Sequence, residues 1–226
     1  MESGYFITGT DTGVGKTLVS CALLHAYAAC GRTVVGMKPV AAGCENNRWL
    51  DVALLQAAST VSASYSLVNP YALIPPLAPH IAARQANIDI DLTVIKQACI
   101  ELQKVSEIVI VEGVGGFLVP LSDQHDGADL AQILELPVIL VVGLRLGCLN
   151  HAMLTAQAVR ASGQSLVGWV ANCIDPQMLE QEKNIRSLEQ RLDCPLLGVF
   201  SFEESINTKQ FSKLLDMTKL RSVQIA

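Results

Sequence analysis

A glycine-rich stretch near the start of the chain contains the residue types best suited to chemistry. Residues 9–17 read Gly-Thr-Asp-Thr-Gly-Val-Gly-Lys-Thr, and they lie between a short apolar run and a segment with a helical pattern. The backbone N–H groups of such a turn and of the helix start can bind the oxygens of a polyphosphate. Lys16 suits the β- and γ-phosphate oxygens, and the hydroxyl of Thr17 suits Mg²⁺. The stretch therefore predicts a nucleotide phosphate site with magnesium.

The spacing of this stretch differs from the usual motif. A standard phosphate-binding loop has four residues between its first glycine and Gly-Lys (G-x-x-x-x-G-K). Here five residues separate Gly9 from Gly15, and Thr10 stands where the first glycine is expected. The flanking strand and helix are nevertheless the context that the motif requires. We therefore favour a phosphate-binding loop over an ordinary glycine-rich turn with an exposed lysine.

The composition indicates a globular protein with a large core. The 226 residues are 50% hydrophobic and only 16% charged, which predicts a single domain over residues 1–226 with a sheet buried on both faces. The net charge is −5 and no run of Lys or Arg occurs, so we expect neither a nucleic-acid partner nor a membrane partner.

Cysteine usage and the N-terminal sequence favour a cytoplasmic location. The seven cysteines are odd in number and form no CxxC pair, so they predict neither a disulfide framework nor a zinc site. The N-terminal residues lack a basic segment followed by a cleavable apolar one. The longest apolar run, residues 136–146, is too short to cross a bilayer.

Apolar runs rich in β-branched residues alternate with helical patterns along the chain, which predicts a doubly wound, mostly parallel α/β sheet with a P-loop NTPase-type core. The predicted strands are residues 5–8, 33–38, 108–112, 137–142, 166–171 and 196–199. The predicted helices are residues 18–29, 51–59, 92–104, 150–161, 178–192 and 209–220. Asp51 is a possible N-cap and Asn150 a predicted one. Residues 70–79 contain four prolines and predict a loop.

Charged side chains stand at the ends of two predicted strands, where ligands bind in sheets of this kind. Glu112 ends the strand 108–112 and is an acidic candidate for Mg²⁺, with Asp51 as a second carboxylate. Lys38 ends the strand 33–38 and either faces the same crevice as Lys16 or is an ordinary surface lysine. Two lysines and Mg²⁺ around one phosphate would stabilise phosphoryl transfer.

Residues 143–155 lead from a strand into a helix whose N-terminus is a second candidate anion site, for a carboxylate or a phosphate. His151 in its first turn is expected to pack or to face solvent rather than to catalyse. The sequence contains no NKxD segment for guanine and no GxSxG or HExxH motif. The lysine that deviant partition ATPases place early in the loop would fall at Asp11.

Five blocks of sequence, taken together, resemble the dethiobiotin synthetase family. They are residues 5–17, 37–41, 111–116, 146–155 and 168–172, in the order of the family. The five-residue gap in the phosphate loop is itself the form seen in this family. The resemblance implies an ATP-dependent ligase that converts 7,8-diaminononanoate (diaminopelargonate), CO₂ and MgATP into dethiobiotin, ADP and phosphate. It implies a carbamate, then a carbamic-phosphoric anhydride that closes the ring, with no protein nucleophile.

The resemblance also implies roles for individual residues. Lys16 and Lys38 would be catalytic, stabilising the carbamate and the γ-phosphate, and Mg²⁺ would be held by Thr17, Asp51 and Glu112. The implied nucleotide-binding residues are Thr12, Gly13, Val14, Gly15, Lys16, Thr17, Asp51, Glu112, Gly115 and Asn172, the last on the adenine. The implied substrate-binding residues are Lys38, Ala42, Cys148, Leu149 and Asn150. The family is homodimeric, and residues 148–152 would bind the far carboxylate of the substrate across the interface.

The sequence departs from the family at two places, and two other functions remain as alternatives. Ala42 stands where a close relative would have serine, and residues 199–203 lack the proline-containing adenine-side loop, which leaves nucleotide selectivity open. One alternative is an amide-forming ligase of the cobyrinic acid diamide synthase type, although the chain is too short for the usual glutaminase domain. The other is a nucleotide-dependent switch, which would need the deviant-loop lysine that Asp11 replaces.

Overall fold

A six-stranded parallel sheet forms the centre of the computed structural model, which describes residues 4–46, 48–203 and 207–221. The strands in chain order are β1 Gly4–Gly9, β2 Val34–Met37, β3 Val40–Ala42, β4 Tyr71–Leu73, β5 Ile108–Glu112, β6 Val138–Leu144, β7 Leu166–Cys173 and β8 Leu196–Phe200. The main sheet has the order β2-β5-β1-β6-β7-β8, and β3 and β4 pair in parallel as a separate small sheet.

Helices connect the strands and cover the sheet. They are α1 Lys16–Ala29, α2 Leu50–Ala58, α3 Tyr65–Val68, α4 Pro79–Gln85, α5 Leu92–Val105, α6 Gly127–Leu134, α7 Cys148–Ala161, α8 Gln181–Glu189, α9 Thr208–Ser212 and α10 Thr218–Arg221. None of the described helices is both long and apolar enough to span a membrane.

Alternate residues of the central strands enter two different cores, which is why these strands read as nearly continuous apolar runs. Phe6, Val109 and Val111 pack on one face in a cluster that includes residues of α5 and α6. Tyr5 and Ile7 pack on the other face, in a cluster that includes residues of α1. The parallel, doubly wound architecture predicted from the sequence is present.

The six predicted strands are confirmed, but several connecting elements differ from the predictions. Residues 70–79 are not simply a loop, because they include β4 and the first residue of α4. The helix predicted over residues 178–192 is the shorter α8, and the one predicted over 209–220 is divided into α9 and α10. The sequence interpretation missed β3, α3, α4 and α6, which are all eight residues or shorter.

The order of the strands determines which side chains can meet. β5 lies between β2 and β1, with Met37 beside Val111 and Ile7 beside Glu112. The residues that follow β2, the end of β5 and the loop after β1 therefore meet at one edge of the sheet. This edge brings together Lys38, Glu112 and the glycine-rich loop, as parallel topology requires.

Candidate active site

The glycine-rich loop connects β1 to α1 and packs against Asn172 of β7. Gly15 has φ of 92°, and a Cβ at this position would lie 2.1 Å from the Asn172 amide nitrogen, so a side chain is excluded on both counts. Asn172 is 5% exposed and donates from Nδ2 to the carbonyl oxygen of Val14 at 2.8 Å. The structure thus places Asn172 as a support for the loop, and its contact with adenine stays a prediction.

Lys16 is the first residue of α1 and lies almost entirely below the surface. Its Nζ donates to the backbone carbonyl oxygen of Asp11 at 2.9 Å, which folds the side chain back over the loop. Burial, followed by the positive charge of Lys38, lowers the pKa of Lys16 to about 8, against the opposing effect of nearby carboxylates. Because burial disfavours the charged form of Lys16, an anion bound beside its ammonium group would stabilise that charged form.

Lys38 lies directly after β2, in contact with two carboxylates. Its side chain is 3% exposed, and its Nζ lies 2.6 Å from Glu112 Oε1 and 3.0 Å from Asp51 Oδ2. Nζ also donates to the carbonyl oxygen of Gly113 at 3.1 Å. Burial alone would lower the pKa of Lys38, but Glu112 and Asp51 outweigh it and the pKa is raised. Lys38 is therefore a fixed, buried positive charge rather than a surface lysine.

Asp51 lies in the first turn of α2 but does not cap it. The N-cap is Trp49, so the interpretation of Asp51 as a capping residue is wrong. Burial would raise the pKa of Asp51, but the charge of Lys38 and the hydrogen bonds from Lys38 and Thr17 lower it. The carboxylate of Asp51 therefore belongs to the charged cluster at the sheet edge.

The oxygen atoms at this edge fit the requirements of Mg²⁺, which takes hard oxygen ligands. Thr17 Oγ1 donates its one proton to Glu112 Oε1 at 2.9 Å and also lies within interaction distance of the Asp51 carboxylate. Glu112 is 1% exposed, and its Oε2 has no hydrogen-bond partner among the described residues. A buried carboxylate oxygen without a partner is costly unless a cation or donor completes its environment.

No cluster of three or more His, Cys, Asp or Glu side chains in the described part of the chain could hold a metal ion by itself. A magnesium ion beside Thr17, Asp51 and Glu112 would therefore need further ligands from phosphate oxygens and water. Mg²⁺ commonly binds in this way, through one or two carboxylates and the phosphates of a substrate.

These groups open into one cavity of about 810 Å³, a size suited to a small-molecule ligand. The predicted site residues that line it are Thr12, Gly13, Gly15, Lys16, Thr17, Lys38, Ala42, Asp51, Glu112 and Gly115. Its remaining wall comes from residues 76–79, Val114 and Val119, which the sequence interpretation did not include. The proline-rich composition of residues 70–79 was the only signal that could have identified this wall.

Comparison with known proteins identifies the family. The family model described as an AAA domain matches residues 3–210 of this chain. The ATP-dependent dethiobiotin synthetase of Nitrosospira multiformis is 62% identical over 220 residues, which cover 97% of this chain and 97% of that protein. The chain belongs to the ATP-dependent dethiobiotin synthetase family. The corresponding protein of Aromatoleum aromaticum is 54% identical over 199 residues, 86% of this chain and 88% of its own length.

Solved structures of low sequence identity support the fold of this dethiobiotin synthetase family member. The MinD cell division protein of Aquifex aeolicus superimposes with a TM-score of 0.58 at 16% identity, covering 96% of this chain and 91% of that one. MinD of Pyrococcus horikoshii, complexed with Mg-ADP, has a TM-score of 0.58 at 15% identity, covering 97% and 90%. At such identities the likeness shows the fold alone, and it confirms the predicted fold class.

The start of α7, where this family was expected to bind the substrate carboxylate, lies apart from the 810 Å³ cavity. Its N-cap is Gly147 with φ of 95°, so the prediction of Asn150 as the cap is wrong. Cys148 is buried, Leu149 is half-buried and Asn150 is exposed, and none of the three lines the cavity. These three residues and the two lysines are therefore not brought together within one chain.

An ion pair connects the turn before α7 to the phosphate loop. Arg145 Nη2 donates to Asp11 Oδ2 at 2.6 Å, and the backbone N–H of Thr12 donates to Asp11 Oδ1 at 2.7 Å. The Thr12 N–H and then Arg145 lower the pKa of Asp11 below its usual value. Asp11 thus takes part in loop structure, at the position where the nucleotide-switch alternative would need a lysine.

The segment expected from the family resemblance to lie near the adenine follows β8, and residues 204–206 after it lie outside the described residues. Phe200 at the end of β8 is buried and packs on Phe211 of α9, with ring centroids 4.8 Å apart. His25 Nε2 of α1 lies 3.1 Å from Thr208 Oγ1, which also places α9 against α1. The segment after β8 therefore returns to the helix that follows the phosphate loop.

The lowered pKa of Lys16 predicts a pH dependence of nucleotide binding. Below pH 8 the Lys16 side chain is mainly charged. Above pH 8 it is mainly neutral, so Lys16 must take up a proton when the phosphates bind. The affinity for ADP without metal is expected to be constant near pH 7.5 and to fall above pH 8, by up to roughly tenfold per pH unit. Calorimetric titrations between pH 7.5 and 9.5 measure this.

The matched control for this titration is Lys16→Arg, because arginine stays charged over the whole range. Its ADP affinity is expected to be independent of pH between 7.5 and 9.5. An equal loss of affinity in both proteins would assign the effect to another group.

Proposed function

We propose that this chain is an ATP-dependent dethiobiotin synthase, which carboxylates 7,8-diaminononanoate with CO₂ and closes the ureido ring. The observation that carries the proposal is the convergence of Lys16, Lys38, Asp51 and Glu112 on one cavity next to a phosphate-binding loop. The names of its relatives support the same reaction. Two cations beside a phosphate site suit a reaction in which negative charge moves between a carbamate and a phosphoryl group.

The proposed reaction has three bond-forming steps. An amine of the substrate attacks the carbon of CO₂, loses a proton and becomes a carbamate. A carbamate oxygen then attacks the γ-phosphorus of ATP, the bond to the β-phosphate oxygen breaks, and ADP leaves. The second amine finally attacks the carbonyl carbon of this carbamic-phosphoric anhydride and loses a proton, and the C–O bond to the phosphoryl group breaks to release phosphate and dethiobiotin. Each step needs positioning and charge stabilisation but no covalent bond to the protein.

In this proposal the two lysines serve different parts of the reacting group. Lys16, at the start of α1, binds the β- and γ-phosphate oxygens together with the N–H groups of the loop. Lys38, directly after β2, faces the carbamate and the transferring phosphoryl group. Mg²⁺ beside Thr17, Asp51 and Glu112 would neutralise charge on the phosphates.

We propose one domain over residues 1–226, a cytoplasmic location and a homodimer. In the dimer the α7 start, with Cys148, Leu149 and Asn150, would bind the far carboxylate of a substrate held by the partner subunit. The separation of these residues from the cavity of their own chain supports this arrangement, and so does the suitability of a helix N-terminus for a carboxylate.

The experiment that tests the proposal measures ADP release in the presence of MgATP. ADP release is expected to require both 7,8-diaminononanoate and bicarbonate, and to match dethiobiotin formation one for one. ADP release without the diamine would instead favour a nucleotide switch. Release that requires an amide nitrogen donor would favour a ligase of the cobyrinic acid diamide synthase type. Repeating the assay with CTP and GTP determines the nucleotide selectivity that residues 199–203 leave open.

A further inference from the structure

The backbone of Lys38 is not held by the main sheet. β2 pairs with β5 up to Met37, and the next residue, Lys38, donates its N–H to the carbonyl oxygen of Val68 at 2.8 Å. Pro39 follows and has no N–H to donate. The position of Lys38 is therefore determined by the segment that contains Val68, at the end of α3, rather than by β5.

Asn69 completes the attachment of Lys38 to this segment. Its Nδ2 donates to the carbonyl oxygen of Lys38 at 2.6 Å and to that of Tyr71 at 3.2 Å. Its Oδ1 accepts a hydrogen bond from the hydroxyl of Tyr65 at 3.3 Å. The side chain is 3% exposed and is not among the residues that line the 810 Å³ cavity. A buried amide with its hydrogen bonds satisfied holds a single orientation.

The same segment also positions the partner of Lys38 on α2. Tyr71 N–H donates to the carbonyl oxygen of Pro39 at 3.0 Å at the start of the small sheet. Trp49 Nε1 donates to the carbonyl oxygen of Leu73 at 2.9 Å, and Trp49 is the N-cap of the helix that carries Asp51. Residues 68–73 are thus hydrogen-bonded both to the segment that carries Lys38 and to Trp49, which precedes the helix that carries Asp51.

We infer that Asn69 is the positioning residue of Lys38, and that its amide keeps the ammonium group at the sheet edge where phosphoryl transfer occurs. The inference rests on the proposed function of Lys38. The alternative is that Asn69 stabilises the fold without any specific effect on Lys38. The two roles predict different results when Lys38 is removed. An effect of Asn69 on kcat through positioning would disappear without the Lys38 side chain, whereas an effect on stability would remain.

The test uses Asn69→Asp, which keeps the shape of the side chain but replaces the donating NH₂ by a carboxylate oxygen. We expect kcat to fall roughly 10- to 10²-fold, because a displacement of about 1 Å at a catalytic group has effects of this size. The KM for ATP is expected to change little, since the phosphate loop is untouched. Asn69→Ser, which removes the amide without adding any charge beside Lys38, is also expected to lower kcat. This variant tests the inference if Asn69→Asp does not fold.

A double-mutant cycle separates positioning from stability. In a Lys38→Ala background Asn69→Asp is expected to change kcat by no more than about twofold, while its effect on the urea midpoint stays the same. An equal fold-loss of kcat in both backgrounds would overturn the inference. Asn184→Ala is the matched control, because it also removes an amide that donates to a backbone carbonyl, that of Glu180 at 3.0 Å, on α8.

A second readout does not depend on the proposed reaction. In protein labelled with ¹⁵N-lysine, the Nζ signal of Lys38 is assigned by its absence from Lys38→Arg. We expect Asn69→Asp to shift this signal and Asn184→Ala to leave it in place. An unshifted signal in Asn69→Asp would contradict positioning, even if the wild-type protein showed no diamine-dependent ADP release. Absent release with a shifted signal would instead refute the proposed reaction and leave the positioning contact supported.

Discussion

Replacing Lys38 with alanine is expected to lower turnover by roughly 10²-fold or more while nucleotide affinity stays close to that of the wild type. The ammonium group is buried and lies 2.6 Å from Glu112 Oε1, so its charge acts in a poorly screened environment. Lys38 Nζ contacts Glu112, Asp51 and the carbonyl oxygen of Gly113, none of which belongs to the phosphate loop, so nucleotide binding should persist. Steady-state kinetics with 7,8-diaminononanoate, bicarbonate and MgATP measure the first effect, and ADP titrations measure the second.

Loss of Lys38 leaves two carboxylates near each other, and breaking a buried pair costs about 3–5 kcal/mol of stability. Urea unfolding should therefore accompany the kinetics, and Lys38→Met, which keeps the aliphatic bulk, provides a better-packed variant. Lys96→Ala is a suitable control because Lys96 is a solvent-exposed lysine on α5, paired with Glu135 at 3.3 Å. Wild-type turnover in a folded Lys38→Ala protein would remove Lys38 from the proposed mechanism.

Replacing Lys16 with alanine is expected to reduce both ATP affinity and turnover. Lys16 is 7% exposed, and the only hydrogen bond of its side chain among the described residues is to the backbone carbonyl of Asp11 in the loop. Transfer of this ammonium group to a phosphate gives a charge-assisted hydrogen bond, worth about 1.5–3 kcal/mol. Affinity should then fall roughly 10- to 10²-fold, as measured by ATP-analogue titration.

The matched control for Lys16 is Lys104→Ala on α5, since Lys104 is 61% exposed and, within the described part of the chain, pairs only with Glu101 on its own helix. This change is expected to alter neither affinity nor turnover. If Lys16→Ala bound ATP as tightly as the wild type, the assignment of residues 9–17 as a phosphate-binding loop would be in error.

The main sheet was predictable because its strands are buried on both faces. Runs such as residues 108–112 and 138–144 leave no position for a polar residue until the strand ends, which fixes both the strand and its end. Once the strands are parallel, Lys38 and Glu112 must lie at the same edge. The charged cluster therefore follows from apolar patterning and topology together.

The parts that the sequence did not reveal depend on contacts between distant segments of backbone. β3 and β4 are each three residues long and pair through main-chain hydrogen bonds. Strands this short show no recognisable alternation of apolar and polar residues. The role of Asn69 depends on a carbonyl oxygen that lies 31 residues earlier in the chain. Asp51 and Asn150 have residue types typical of helix caps, but Asp51 binds Lys38 instead and α7 begins before Asn150.

The most direct test of the account is a crystal structure with a non-hydrolysable ATP analogue, Mg²⁺ and 7,8-diaminononanoate. The quantity to measure is the distance from Lys38 Nζ to the nearest γ-phosphate oxygen. A hydrogen-bonding distance of about 2.7–3.2 Å, with Lys16 on the β- and γ-phosphates, is the predicted result. A Lys38 that keeps its carboxylate contacts and lies far from the terminal phosphate would contradict the account.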